Sequence, residues 1–191
     1  ATVIECEPTL QAREDSAARV IQETGAAFIH PYDDPRIVAG AATAALELIE
    51  DVPDLDVIMA PVGGGGLMSG TCLAASALAP QARLIGAEPV GADDAARSLA
   101  AGKRIEQTSP NTMCDGLLTS LGQLNWSILH KHLETIVTVT DEQVIEAMRL
   151  LMTRAKAVVE PSGAVPLAAV MSPAWPVESG AKVGLIISGG N

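Results

Sequence analysis

Residues 56–70 read DVIMAPVGGGGLMSG, and the order of residue types in this stretch decides the fold. An apolar run (Val57, Ile58, Met59, Ala60) meets four glycines, Gly63, Gly64, Gly65 and Gly66, and a small-residue, helix-compatible segment follows from Leu67. Strand, glycine loop and helix start aim several bare backbone N–H groups at one point, at the positive end of a helix. Glycine lets the backbone approach an anion with no Cβ in the way. This is not a Walker loop, because no Gly-Lys-Ser/Thr follows, and GGGGLMSG does not keep the G-x-G-x-x-G spacing of a dinucleotide fingerprint. Two readings stay open: a structural turn, or a cradle for the phosphate of a phosphorylated cofactor.

Outward from this loop, strands and helices alternate. Strands are expected at 1–6 (ATVIEC), 26–29 (AAFI), 56–60, 82–88 (ARLIGAE), 134–140 (ETIVTVT) and 182–188 (KVGLIIS). Helices are expected at 9–24, ended by Gly25, and at 35–50, opened by Pro35. Others follow from Leu67 to about 78, at 92–101 before Gly102, at 126–132, at 142–157 behind an Asp141 cap, and at 163–171. Residues 103–124 read mostly as loop. Strands separated by helices imply βαβ units: an α/β fold with a mostly parallel sheet and helices on both faces. Ligands in such folds sit at the carboxyl ends of the strands. Three candidate positions fall there: the glycine loop, Glu88, and Ser188 to Gly190.

The chain has 191 residues, 48% hydrophobic and 18% charged, which is the balance of a globular protein and not of a disordered one. Aromatics are only 2%, so the core is aliphatic. A net charge of −11 disfavours nucleic acid and anionic membrane as partners. No apolar run approaches the ~20 residues that span a bilayer. Cys6, Cys72 and Cys114 are far apart and form no C-x-x-C, which argues against a disulfide framework or zinc site and for the cytoplasm. Both ends read as cut: a strand from the first residue, and an abrupt Ser-Gly-Gly-Asn at the last.

Five stretches, in order, resemble the serine racemase and threonine dehydratase group of fold-type II pyridoxal-phosphate enzymes. They are FIHPYDDPRIVAG (28–40), APVGGGGLMSG (60–70), AEPVGADD (87–94), VVEPSGA (158–164) and SGGN (188–191). The resemblance covers essentially the whole chain and implies a three-layer fold like that of the tryptophan synthase β subunit. It assigns residues 1–34 to the end of a small domain and 35–191 to most of a large cofactor-binding domain. The implied cofactor is pyridoxal 5'-phosphate, with Gly63, Gly64, Gly65, Gly66 and Leu67 at its phosphate and Glu160, Ser188 and Gly189 near its ring. Ser188 resembles the residue whose hydroxyl faces the pyridine nitrogen. A hydroxyl cannot hold that nitrogen protonated as a carboxylate would, so the ring is a weaker electron sink, which favours elimination and racemisation.

The resemblance also places a divalent ion, Mg2+ or Ca2+, on Glu88, the Ala92 carbonyl and Asp94, an oxygen-only set completed by water. The competing reading of AEPVGADD is a helix start decorated with acids. Glu160 is equally open to a structural role. Asp115 and Gly116 resemble a loop that closes over the cofactor, Cys114 reads as a small buried hydrophobe, His30 as structural, Tyr32 as a pocket residue, and Met148 and Met152 as core.

The family's Schiff-base lysine has no counterpart here. Lys103, Lys131, Lys156 and Lys182 lie in no matching motif; Lys156 reads as mid-helix and Lys182 as opening a strand. No catalytic residue is therefore assigned within this chain. The implied activity is dehydration of threonine or serine by α-proton removal and β-elimination, with serine racemase or hydroxyaspartate dehydratase as alternatives. A non-catalytic phosphate-ligand-binding half-enzyme, or degenerate paralogue, is a further one. The implied whole is a dimer or tetramer acting on a small hydroxy amino acid, and 191 residues alone are expected to be inactive.

Overall fold

The structure is a computed structural model describing residues 2–7 and 9–190, with the backbone alone for Leu10. The chain divides into two compact units, Ala1–Pro31 and Tyr32–Asn191. The first holds one helix, α1 (Leu10–Thr24), with Thr9 accepting from the Ala12 amide at its start and left-handed Gly25 at its end. None of its described residues is buried, and Val3, Ile4, Phe28 and Ile29 are exposed. So short a segment encloses too little volume for a core of its own.

The second unit is built on four parallel strands: β1 (Val57–Pro61), β2 (Arg83–Pro89), β3 (Thr135–Val139) and β4 (Val183–Leu185), in the order β3-β2-β1-β4. Six helices join them: α2 (Pro35–Asp51), α3 (Gly66–Leu78), α4 (Asp94–Ala101), α5 (Gln123–His132), α6 (Asp141–Leu150) and α7 (Pro161–Met171). Successive strand residues face opposite ways. Ile58, Ala60 and Leu84 therefore pack with α2, α3 and α5, while Val57, Met59, Ile85 and Ala87 pack with α6 and α7. The result is the expected three-layer α/β arrangement. The aliphatic composition permits close contact: a Cβ on Gly70 of α3 would stand 2.5 Å from the Ala42 nitrogen and 2.6 Å from the Val38 carbonyl oxygen of α2. Among the described residues, no helix is long and apolar enough to cross a membrane.

Several local expectations are corrected. The described residues 2–6 and 26–29 form no strand. Apolar, β-prone residues make a strand only where a neighbour completes the ladder, and among the described residues none does. Ala1, Pro8 and Asn191 lie outside the described residues. Strand β4 is three residues long, because β1 pairs with it only through Val183, Gly184 and Leu185. Asp141 is not the cap of α6. Thr140 is, in a capping box with Gln143, and the helix starts one residue earlier than expected. That helix does not run to 157: after Leu150 it widens into a π-helical turn, Leu151–Ala155, ended by Lys156 at φ +59°. The wider turn rotates the following residues out of α-helical phase. Met152 is consequently exposed, whereas Met148 stays packed against the core, and Lys156 ends the helix instead of lying within it.

Candidate functional site

The glycine loop leaves the carboxyl end of β1, held beside β2 by the Val62 amide donating to the Ala87 carbonyl (2.9 Å). Gly63, Gly64, Gly65 and Gly66 are all buried. Gly65 is the N-cap of α3, at φ +91°, ψ −3°, and has no side chain with which to cap the helix. Tyr32 lies against Gly64 so closely that a Cβ there would be 2.3 Å from the ring, and Leu117 and Leu121 press on Gly63 and Gly65 in the same way. Close packing alone accounts for the absence of side chains. It does not account for the amides. Among the described residues, the N–H groups of Gly63, Gly64, Gly65, Gly66 and Leu67 meet no acceptor, and the first bonded amide of α3 is Ser69, to the Gly65 carbonyl (2.8 Å). Buried N–H groups without partners are rare in folded proteins. Here the Met68 amide is bare as well, and an unbroken run from Gly63 to Met68 at a helix N-terminus fits the oxygens of a phosphate.

The neighbouring loops continue this edge. Gly116 donates to the buried Ser162 hydroxyl of α7 (3.0 Å). The Glu160 amide donates to the Gly189 carbonyl (3.1 Å), and a Cβ on Gly189 would stand 2.7 Å from Glu160 Oε1. Ser188, just after β4, is exposed, and so is Asp115. Cys114 is fully buried, and burial pushes its thiol up. The glycine loop, Gly116, Glu160, Ser188 and Gly189 thus share the carboxyl ends of β1 and β4 and the start of α7.

Glu88 and Asp94 stand apart from that arc, at the end of β2 and the start of α4. Both are fully buried, as is Ala92 between them. Glu88 Oε1 and Oε2 accept from the Ala95 (3.2 Å) and Ala96 (2.8 Å) amides. Asp94 Oδ2 accepts from the Leu121 amide (2.8 Å), while its Oδ1 has no protein partner among the described residues. Burial raises both acids; Asp94 raises Glu88 further, while the amides of α4 pull it the other way. Two buried acids of raised affinity for protons, one with a stranded oxygen, are a donor set that fits a hard cation. Among the described residues no three His, Cys, Asp or Glu side chains converge, so such an ion would depend on backbone carbonyl and water as well.

Two carboxylates brace this edge in roles that the sequence does not show. Asp33 accepts from the Gln123, Leu124 and Asn125 amides (3.0, 3.0 and 3.3 Å), capping a helix ninety residues away. Asp141 holds Thr112 and the Met113 amide (2.9 Å). No local pattern announces either. Asn125 did leave a signal: it stands four residues from both Leu121 and Leu129 on a buried apolar stripe, where an amide is out of place.

Residues 1–189 match the family model described as pyridoxal-phosphate dependent enzyme. A beta-hydroxyaspartate dehydratase from Paracoccus denitrificans is 47% identical over 99% of this chain and 60% of its own length. The solved structure of maize serine racemase superposes with a TM-score of 0.96 at 42% identity, over 100% of this chain and 59% of that one. The solved T.th. threonine deaminase gives 0.94 at 44%, over 100% and 63%. The chain therefore spans about 60% of the length of these relatives. With the family model covering nearly every residue, and a parallel sheet presenting bare glycine amides where a phosphate would sit, the chain belongs to the pyridoxal-phosphate dependent enzyme family.

Proposed function

We propose that the chain is the cofactor-holding part of a lyase that eliminates water from a small hydroxy amino acid, threonine or serine, whose dehydrated product takes water back up to give a keto acid and ammonia. The row of unpartnered amides from Gly63 to Leu67 carries this reading, because it offers several N–H donors and a helix dipole to one phosphate. Serine racemisation and dehydration of hydroxyaspartate are supported by the likeness to relatives with those names, and use the same site.

When bound, pyridoxal 5'-phosphate supplies an electron sink for the pair left by Cα–H cleavage. The residues of this chain would bind and orient that cofactor. Gly63, Gly64, Gly65, Gly66 and Leu67 would hold the phosphate by backbone N–H. Ser188 would offer a hydroxyl to the ring nitrogen without protonating it, with Glu160 and Gly189 beside one another nearby. Glu88, Asp94 and the Ala92 carbonyl, with water, would hold Mg2+ or Ca2+. The Leu121 amide bound to Asp94 would link such an ion to the wall of the glycine loop. Residues 1–34 end a small domain, and 35–191 form most of the large one. Exposed Ile145, Met152 and Met171 support a homo-oligomer, and two buried free thiols support a reducing cytoplasm.

All four lysines are exposed, and none touches the glycine arc, so the Schiff-base lysine is assigned outside residues 1–191. The test is the full-length polypeptide with pyridoxal 5'-phosphate, assayed for ammonia and keto acid from L-threonine, L-serine and hydroxyaspartate, and for D-serine formation. Turnover of at least one is expected; turnover of none overturns the reading. The 191-residue polypeptide alone is expected to release no ammonia, and release would overturn the assignment of the lysine.

A further inference from the structure

The Asn125 side chain is fully buried beneath the glycine loop. Its Nδ2 stands 2.8 Å from the Gly64 carbonyl oxygen and 3.0 Å from that of Tyr32. Both neighbours are acceptors, so the nitrogen of the amide must face them. The Gly64 carbonyl also accepts from the Gly122 amide (3.0 Å). Two donors, one on α5 and one just before it, therefore fasten one peptide oxygen of the loop. Asn125 Oδ1, by contrast, meets no protein donor among the described residues. A leucine here would fill similar volume without that cost, so what the position gains comes through Nδ2.

A trans peptide unit is planar, with C=O and N–H pointing in opposite directions. Fixing the Gly64 oxygen toward α5 fixes the Gly65 N–H away from α5. Gly65 carries one of the bare amides, and at φ +91° its backbone has more freedom to rotate than any other residue type would allow. Left unfastened, that peptide could turn over and present an oxygen where a donor is needed.

We infer that Asn125 is a positioning residue for anion binding: by holding the Gly64 carbonyl, it aims the Gly65 N–H at the cofactor phosphate. This rests on the cradle reading above, and it concerns the phosphate alone. An anion-positioning role and a merely structural one therefore predict different things. The structural role weakens every ligand equally, or only lowers the melting temperature. The positioning role weakens phosphorylated ligands selectively.

The test compares pyridoxal 5'-phosphate with pyridoxal, which lacks the phosphate, on the full-length polypeptide. Dissociation constants are measured for wild type, Asn125→Leu and Asn125→Asp, with inorganic phosphate as a competing probe. Wild type is expected to favour the phosphorylated form. In both variants that preference is expected to fall about tenfold or more, the worth of a hydrogen bond to a charged group, with pyridoxal affinity within about twofold of wild type. Variants that keep the preference, or lose both affinities equally, overturn the inference while leaving the cradle standing. A wild type with no preference overturns the cradle and the inference with it. Should both variants fail to fold, amide NMR of wild type decides. Inorganic phosphate is expected to shift the Gly65 N–H, and an unmoved Gly65 resonance at saturating phosphate overturns the inference.

Discussion

Replacing Gly65 by alanine separates the backbone demand of the loop from its chemistry. Gly65 sits at φ +91°, ψ −3°, beyond the narrow left-handed well that L residues tolerate. Holding an L residue in left-handed geometry costs about 1–2 kcal/mol. The new methyl would also stand 2.6 Å from Leu121 Cδ1 and 2.9 Å from Asn125 Cβ. Leu121 is fully buried, and Asn125 Cβ is fixed to the α5 backbone, so neither has room to retreat. Overpacking of this kind costs about 1–3 kcal/mol. Together the two effects come to about 2–5 kcal/mol. Gly102 supplies the control: it is left-handed at φ +65° with nothing within 4 Å of a built Cβ. Gly102→Ala is therefore expected to cost only the backbone part, about 1 kcal/mol. Urea unfolding of the full-length polypeptide measures both, compared at a common slope. A Gly65→Ala cost no larger than that of Gly102→Ala would refute the crowding seen around the loop.

Three further expectations follow from named contacts. Glu88 and Asp94 are raised by burial, so they ionise more easily in the unfolded chain than in the folded one. Their contribution to stability is intact below the ordinary carboxylate range and is lost as pH rises through their raised folded values. Mg2+ or Ca2+ prefers the ionised pair, so the rise in melting temperature on adding either ion should grow as pH rises above the ordinary carboxylate range and vanish in Asp94→Asn; a cation effect independent of both pH and Asp94 would count against the ion site. Asp33→Ala removes the side chain that caps α5 and should cost about 1–2 kcal/mol in urea unfolding; a change within error would mean that the cap contributes nothing. Burial pushes the Cys72 thiol up to about 12 and raises Cys114 too, so peptide mapping after alkylation of native protein at pH 8 should find both unmodified. Rapid labelling of either would contradict their burial.

The central strands, the glycine loop, the ends of α1 and α4 and the start of α2 were legible because each is written locally. Val57 to Met59 is a buried run, Gly25 and Gly102 stop helices with left-handed geometry, and Pro35 opens one. The candidate residues at the strand ends followed from the order of elements, since parallel strands bring their carboxyl ends to one edge. What was misread depended on partners far off in the chain. Residues 2–6 and 26–29 have strand composition without a neighbouring ladder, and the π-helical turn after Leu150 has no sequence mark that period counting detects.

The amino-acid sequence by itself determined the alternation of elements, the aliphatic core and the glycine loop, because propensity, capping and hydrophobic period act over a few residues. Only the tertiary structure decided which amides of that loop stay bare and which groups brace it. Asp33 reaches Leu124, Asn125 reaches Gly64, Asp94 reaches Leu121 and Ser162 reaches Gly116, each across 27 to 91 positions. Hydrogen bonds of such span are set by how the layers pack, and no local pattern encodes them.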